Sequence, residues 1–276
     1  MQRHLPVKNT TKGYWFVVSA GKMQSKLWLD ERQQIPFGTV ELLQRPDLHS
    51  VCQFESYQGH PCYLVCHDDY VADDPSWQTP RAFLLAEQPE WFGLAARASQ
   101  LALFLQTHRF CGQCGHKMEQ VSWELAMLCP KCQHRAYPRI SPCILVGVTK
   151  PGHILLARSK QFKTGVYSLI AGFVESGETL EQAAKREVLE EVGVQIAQPS
   201  YLGSQPWPFP HSLMTGFTAE YVAGDIVCQP QEIEDAQWFA WDALPEIPPA
   251  QTLSGQIIRQ LWQKAVDSSG NAGNTK

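Results

Sequence analysis

The stretch GFVESGETLEQAAKREVLEEVGV, residues 172–194, restricts the fold more than any other part of the chain. Gly172 and Gly177 predict a turn. Thr179 and Gln182 have the spacing of a reciprocal capping box, so a helix starts there. Gly193 ends it. Leu180, Ala184, Val188 and Val192 recur at i, i+4 and form an apolar ridge suited to packing on a sheet. Glu187, Glu190 and Glu191 stand at i, i+3 and i+4, which gathers three carboxylates on one surface. Carboxylates so close repel one another, and a divalent cation would neutralise them. Magnesium or manganese held in this way serves phosphate chemistry. The plain alternative is a solvated acidic helix face.

The 276 residues suffice for two domains, and 44% hydrophobic content predicts globular cores. A formal net charge of −4 argues against a dedicated nucleic-acid binder with a broad basic surface. No apolar run approaches the ~20 residues needed to cross a membrane. The start, MQRHLPVKNTTKGYWFVV, lacks the apolar core of a signal peptide, so a cytoplasmic location is the expectation. Nine cysteines, an odd count, favour metal ligands and free thiols over a disulfide frame.

Residues 1–108 read as a first domain. Residues 14–18 and 61–66 predict strands, being rich in aromatic and β-branched residues. Residues 90–108 predict a helix, with Leu94, Ala98, Leu101, Phe104 and Leu105 at helical spacing. Residues 1–89 carry no catalytic motif. Residues 109–135 contain Cys111-Gly-Gln-Cys114 and Cys129-Pro-Lys-Cys132, separated by fourteen residues. Two such knuckles predict a closed four-thiolate site for structural Zn2+, with no open position for water. So short a segment has little core, so the metal supplies its folding energy. His116 and His134 lie nearby but are not needed as ligands. Cys52, Cys62, Cys66, Cys143 and Cys228 read as buried small apolar residues.

Residues 136–266 read as the catalytic domain. Strands are predicted at 144–148 and 153–157 around the turn Lys150-Pro151-Gly152, a late strand at 238–241 and a final helix at 255–266. Residues 267–276, rich in Ser, Gly and Asn, read as a disordered tail. After the acidic helix comes Ser204-Gln205-Pro206-Trp207-Pro208-Phe209-Pro210-His211-Ser212. Three prolines alternating with Trp207 and Phe209 predict a rigid extended segment suited to a flat base or ring. A loop docked on its own domain is the other reading.

Gly172, Glu178, Arg186, Glu187, Val188, Glu190, Glu191, Gly193 and Val194 fill every fixed position of the Nudix box, G-x5-E-x7-R-E-U-x-E-E-x-G-U with U aliphatic. With the four-cysteine ribbon and the SQPWPFPxS segment, the chain resembles the NADH pyrophosphatase branch of the Nudix hydrolases over nearly its whole length. The N-terminal domain and the C-terminal tail match only loosely. The resemblance implies an α+β fold: a Nudix α/β/α sandwich with a mixed sheet, preceded by a zinc ribbon and a non-catalytic N-terminal Nudix-like domain. It implies hydrolysis of the pyrophosphate bond of NAD(H) to NMN(H) and AMP. It also implies a homodimer.

Site roles are carried over in the same way. Glu187 and Glu191 would ligate Mg2+ or Mn2+, with Glu190 assisting. The carbonyl of Ala171 and a downstream acid would complete the set; Glu232 fits that place best, with Glu234 in reserve. Glu187 or Glu190 would accept the proton from the attacking water. Arg186 would hold the glutamates by ion pairing. Gln205, Pro206, Trp207, Pro208, Phe209, Pro210, His211 and Ser212 would line the nucleotide pocket. Phe173 and Tyr137 would sandwich a nicotinamide or adenine ring, and Arg81 and Ser254 would touch substrate.

Three other readings remain. Removal of the NAD cap from RNA 5′ ends breaks the same bond. Arg109, Lys117, Lys131 and Arg135 would supply a small basic patch for RNA, against the simpler reading of solubilising charge. Related dinucleotides such as ADP-ribose or diadenosine polyphosphates are further substrates. A nucleotide sensor without catalysis conflicts with the intact carboxylates.

Overall fold

Strict alternation along Tyr14–Val18 divides the first sheet's two faces. Phe16 and Val18 enter one buried cluster, and Trp15 and Val17 another. The structure, a computed structural model, describes residues 12–20, 25–43, 51–67, 74–160 and 165–271. Chain contacts divide it into two units, one of residues 1–140 with 207–211, the other of residues 141–206 with 212–276. Residues 109–135 fall in the first unit, and the second begins at Ser141.

The first unit's strands are β1 (Gly13–Ala20), β2 (Ser25–Trp28), β3 (Phe37–Gly38), β4 (Cys52–Tyr57), β5 (His60–His67) and β6 (Trp77–Gln78). They are ordered β4-β5-β1-β2-β6, with β3 also on β1. The β1–β5 pair is parallel, and the others are antiparallel. Helices α1 (Pro80–Leu85) and α2 (Pro89–Thr107) each begin on proline, whose missing N–H costs nothing at that position. Leu94, Ala98 and Leu101 of α2 pack into the cluster of Phe16 and Val18. Three short antiparallel strands follow: β7 (Glu119–Gln120), β8 (Met127–Leu128) and β9 (Arg135–Ala136).

The second unit contains β10 (Ser141–Lys150), β11 (His153–Ser159), β12 (Ile170–Phe173), α3 (Leu180–Val192), β13 (Gln195–Ile196), β14 (Ser200–Trp207), β15 (Ser212–Ala223), β16 (Ile233–Ala240) and α4 (Leu253–Asn271). Its sheet is ordered β13-β15-β10-β11-β16, with β12 on β10 and β14 on β15. Here too the central pair, β10 and β15, is parallel. Ile144, Val146 and Val148 pack with Ala184, Val188 and Val192 of α3; Leu145, Ile154 and Leu156 pack with Ile257, Ile258 and Leu261 of α4. The sheet is thus sandwiched between helices, as the α+β reading requires.

The two sheets share one strand plan. In each, a hairpin supplies the first two strands, a third short strand joins the first, and a later strand pairs with the first in parallel. What differs is the helix after that third strand. The second unit has α3 there; between β3 and β4 the first unit's described residues hold only a 3-10 turn, Val40–Leu43.

Two expectations need correction. The final helix does not stop at Val266 but continues to Asn271, so residues 267–271 are not a disordered tail; residues 272–276 lie outside the described residues. One source of the extension is local: Ser268 Oγ donates to the Lys264 carbonyl and Gln263 to Asp267. The segment 204–212 is not extended throughout. It follows β14 to Trp207 and then turns before β15 starts at Ser212. Pro208 and Pro210 have no N–H to continue a ladder, so the strand ends where they begin.

Candidate functional site

Helix α3 is built as expected. Thr179 Oγ1 accepts from Gln182 N at 3.2 Å, and Gln182 Oε1 accepts from Thr179 N at 2.8 Å. Gly193 closes the helix in the left-handed region at φ 73°. Burying the ridge on the sheet turns Glu187 and Glu191 inward, to 9% and 4% exposure, whereas Glu190 stays exposed.

These carboxylates line a cavity of about 650 Å3 in the second unit, together with Ala171, Gly172, Phe173, Arg186 and Glu232. Glu234 is not part of that lining; its carboxylate pairs with Arg158 at 3.2 Å. The backbone makes room for the acids at Gly172. A Cβ there would lie 1.9 Å from the Glu187 carboxyl carbon, so any side chain would displace that carboxylate.

Arg186 braces one side of the cluster. Its Nε and Nη2 take Glu178 as a fork at 2.6 and 2.8 Å, and Nη1 reaches Glu187 at 2.9 Å and Glu190 at 3.0 Å. Nη2 also donates to the Phe173 carbonyl at 3.0 Å. The hydrogen bonds from Arg186 hold the Glu178 carboxyl down at about 2. Glu178 was visible in the sequence only as a fixed position, and this fork is its role.

The other side of the cluster lacks such a brace. Glu191 forms no ion pair among the described residues, and neither does Glu232. Burial pushes the Glu191 carboxyl up to about 8, and the charges of Glu187 and Glu232 and a hydrogen bond to Glu232 add to the effect. Burial likewise raises Glu187, against the pull of Arg186. Three carboxylates facing one cavity, two of them without a cationic partner among the described residues, could serve as oxygen donors to a hard divalent cation.

A pH dependence follows. In the metal-free protein, Glu191 binds its proton more tightly folded than unfolded. Its contribution to stability is complete below about 4.5 and is lost as pH rises through about 8. The metal-free melting temperature of wild type, measured relative to Glu191→Gln, is therefore expected to fall across that window. Saturating Mn2+ should remove the fall, since the cation takes the proton's place. A metal-free difference that is flat or rising with pH would contradict this.

The four expected ribbon cysteines converge. Their sulfurs lie within 4.8 Å of one another, with Cys111–Cys132 at 3.6 Å and Cys114–Cys129 at 3.5 Å. A tetrahedral zinc with Zn–S near 2.3 Å would space its sulfurs by about 3.8 Å, so the set fits. The two knuckles repeat one backbone plan. Cys111 and Cys129 N–H groups donate to His116 and His134 carbonyls, and Gly115 and Gln133 N–H groups donate back to Cys111 and Cys129. These histidines therefore serve through their backbone. None of the nine cysteines is in a disulfide.

The substrate-binding candidates divide between the units. Arg81, Tyr137 and residues 207–211 belong to the first unit, and Phe173, Gln205, Pro206, Ser212 and Ser254 to the second. Arg81 lies over the rings of Trp207 and Phe209, 5.4 and 5.1 Å from their centres. Tyr137 and Phe173 both present exposed rings. Gln205 is committed within its own unit: its amide donates to the Gln251 carbonyl and accepts from Leu253 N–H, which anchors the start of α4. Ser212 is buried in β15, and Ser254 contacts Thr252 in the first turn of α4. Lys160, Gln229 and Gln231 also line the carboxylate cavity, and no local pattern in the sequence marks them.

Comparison with known proteins gives two family matches: the NUDIX domain over residues 139–261, and the NADH pyrophosphatase zinc ribbon domain over residues 106–137. Among curated relatives, the NAD-capped RNA hydrolase NudC of Edwardsiella ictaluri is 41% identical over 91% of this chain and 94% of its own. The protein of that name from Pectobacterium atrosepticum is 42% identical over 91% and 93%, and that from Stutzerimonas stutzeri 49% identical over 73% and 74%.

Proposed function

We infer the reaction from one premise: the chain belongs to the Nudix hydrolase family, in the branch that carries the NADH pyrophosphatase zinc ribbon. The protein hydrolyses the pyrophosphate bond of NAD(H), releasing NMN(H) and AMP. The observation that carries this reading is the cavity in which Glu187, Glu191 and Glu232 meet beside Ala171, with Arg186 bracing one side.

Glu187, Glu191, Glu232 and the Ala171 carbonyl would hold Mg2+ or Mn2+. A bound cation of this kind supplies charge stabilisation to the phosphoryl oxygens and lowers the pKa of a water. Glu190, exposed on the cavity wall, is available to take that water's proton, with Glu187 as the alternative. The water oxygen bonds to phosphorus, the bridging P–O bond breaks, and two monophosphates leave. Arg186 keeps the glutamates in register throughout, and Phe173 offers its ring to the substrate's planar end. Cys111, Cys114, Cys129 and Cys132 would hold a structural zinc.

The relatives' name favours a second substrate with the same bond, the NAD cap of RNA. Arg109, Lys117 and Lys131 make no ion pair among the described residues, while Arg135 is paired with Glu124. Those three are the charges available to an RNA backbone. Measuring kcat/KM on NADH and on NAD-capped RNA, with each metal, separates the two. Preference for the capped RNA makes decapping the principal activity; preference for NADH makes it secondary. The active form is proposed to be a homodimer, on the resemblance alone. The proposed location is the cytoplasm, where cysteines outside disulfides stay reduced. Among the described residues, no helix is long and apolar enough to cross a membrane.

A further inference from the structure

Glu232 reaches the cavity from just before β16, where its carbonyl accepts from Lys160 N–H at 3.4 Å. Its own N–H and that of Ile233 both donate to the Gln229 carbonyl, while Gln229 N–H donates to the Glu191 carbonyl. Beyond Ile233 the pairing of β16 with β11 slips by one residue. Arg158 faces Asp235, but Ser159 faces Ile233, which leaves Glu234 as the extra residue of a bulge. A one-residue slip moves side chains to the opposite face of a sheet. If the bulge closed, Glu232 would be carried away from Glu191.

A small polar network surrounds the bulge. Arg158 lies between Ala157 and Ser159, two residues that line the cavity, and its side chain is 19% exposed. Its Nε pairs with the bulge carboxylate Glu234 at 3.2 Å. Its guanidinium stacks 5.3 Å from the centre of the buried Tyr167 ring. The Tyr167 hydroxyl donates to Asp235, the residue after the bulge, and Gln237 donates to the same carboxylate oxygen at 2.7 Å. Tyr167 is in turn fixed through its N–H to the Glu246 carbonyl and by its ring against Phe239.

We propose that the Arg158–Glu234 ion pair and the Tyr167–Asp235 hydrogen bond form a clamp that positions Glu232 for the catalytic cation. Arg158, Glu234 and Tyr167 are positioning residues; they act through the bulge and touch neither substrate nor cation. The proposal rests on Glu232 being a cation ligand. It gives Glu234 a role other than that of a second ligand.

The test is Mn2+ binding, followed by electron paramagnetic resonance on the full-length, zinc-replete protein. Arg158→Ala and Glu234→Gln should each weaken binding by about tenfold or more, the usual effect of losing an outer support of a metal site. Arg158→Lys should recover part of that loss, and Tyr167→Phe should show a smaller one. At saturating Mn2+ the variants should regain most of the wild-type kcat, with zinc content and melting temperature near wild type. Unchanged Mn2+ affinity in Arg158→Ala, with Glu232→Gln weakened, would overturn the clamp while leaving Glu232 as a ligand. Unchanged affinity in Glu232→Gln would overturn the ligand reading itself. Loss of binding in Glu234→Gln with normal binding in Arg158→Ala would make Glu234 the ligand and also overturn the proposal.

Discussion

Replacing Glu191 by Gln is expected to lower kcat/KM for NADH by about 10³-fold or more, equivalent to ~4 kcal/mol of transition-state stabilisation. The substitution keeps the side chain's size and removes its charge. Glu191 is almost fully buried, faces Glu187 and Glu232, and forms no ion pair among the described residues. Its carboxylate is therefore the one whose ionised form depends most on a bound metal. Above about pH 8, where metal-free wild type carries that charge in a crowded buried site, the metal-free variant should melt no lower than wild type. Loss of activity with an intact fold, and with Mn2+ affinity reduced, is the expected pattern. Near wild-type hydrolysis would remove Glu191 from the metal site.

The second large effect concerns the ribbon. Removing zinc should unfold residues 109–136 while the second unit keeps its fold. The buried cluster around the ribbon consists of Phe104, Cys111, Met118, Met127 and Cys129. Two of these five are the thiolates that would hold the metal, so little apolar core remains without it. Structural zinc contributes on the order of 10 kcal/mol to the folding of such modules. Hydrogen exchange should show residues 109–136 losing protection, with α3 and β10 unaffected. Native mass spectrometry should find one zinc per chain before removal. No zinc on a protein whose four ribbon thiols are reduced would contradict the assignment.

Locally encoded features could be read from the chain alone. The ends of α3 follow from Thr179, Gln182 and Gly193, and its buried face from a simple repeat; both stand in the structure. The four ribbon cysteines converge because two short knuckles carry the geometry within themselves. Features that depend on distant pairing were less legible. Periodicity in residues 229–236 does not separate Glu232 from Glu234, and only the family resemblance favours Glu232; a bulge against β11 leaves the first lining the cavity and the second paired with Arg158. Gln205 looks like part of a recognition segment, yet its amide is occupied by the start of α4, about fifty residues later. The shared strand plan of the two units also escapes the sequence, since β1 and β5 pair across more than forty residues. Among the described residues, the N-terminal unit repeats the architecture without the acidic helix that makes the second unit a candidate catalyst.

We propose that this cavity breaks the pyrophosphate bond of NAD(H). The most direct measurement is product analysis by mass spectrometry after incubation of the zinc-replete protein with NADH or with ADP-ribose, with and without Mn2+. The expected result is metal-dependent release of NMNH and AMP from NADH, faster than any cleavage of ADP-ribose, and absent in Glu191→Gln. Cleavage of ADP-ribose in preference to NADH, or an NADH reaction that survives without a divalent cation, would contradict it.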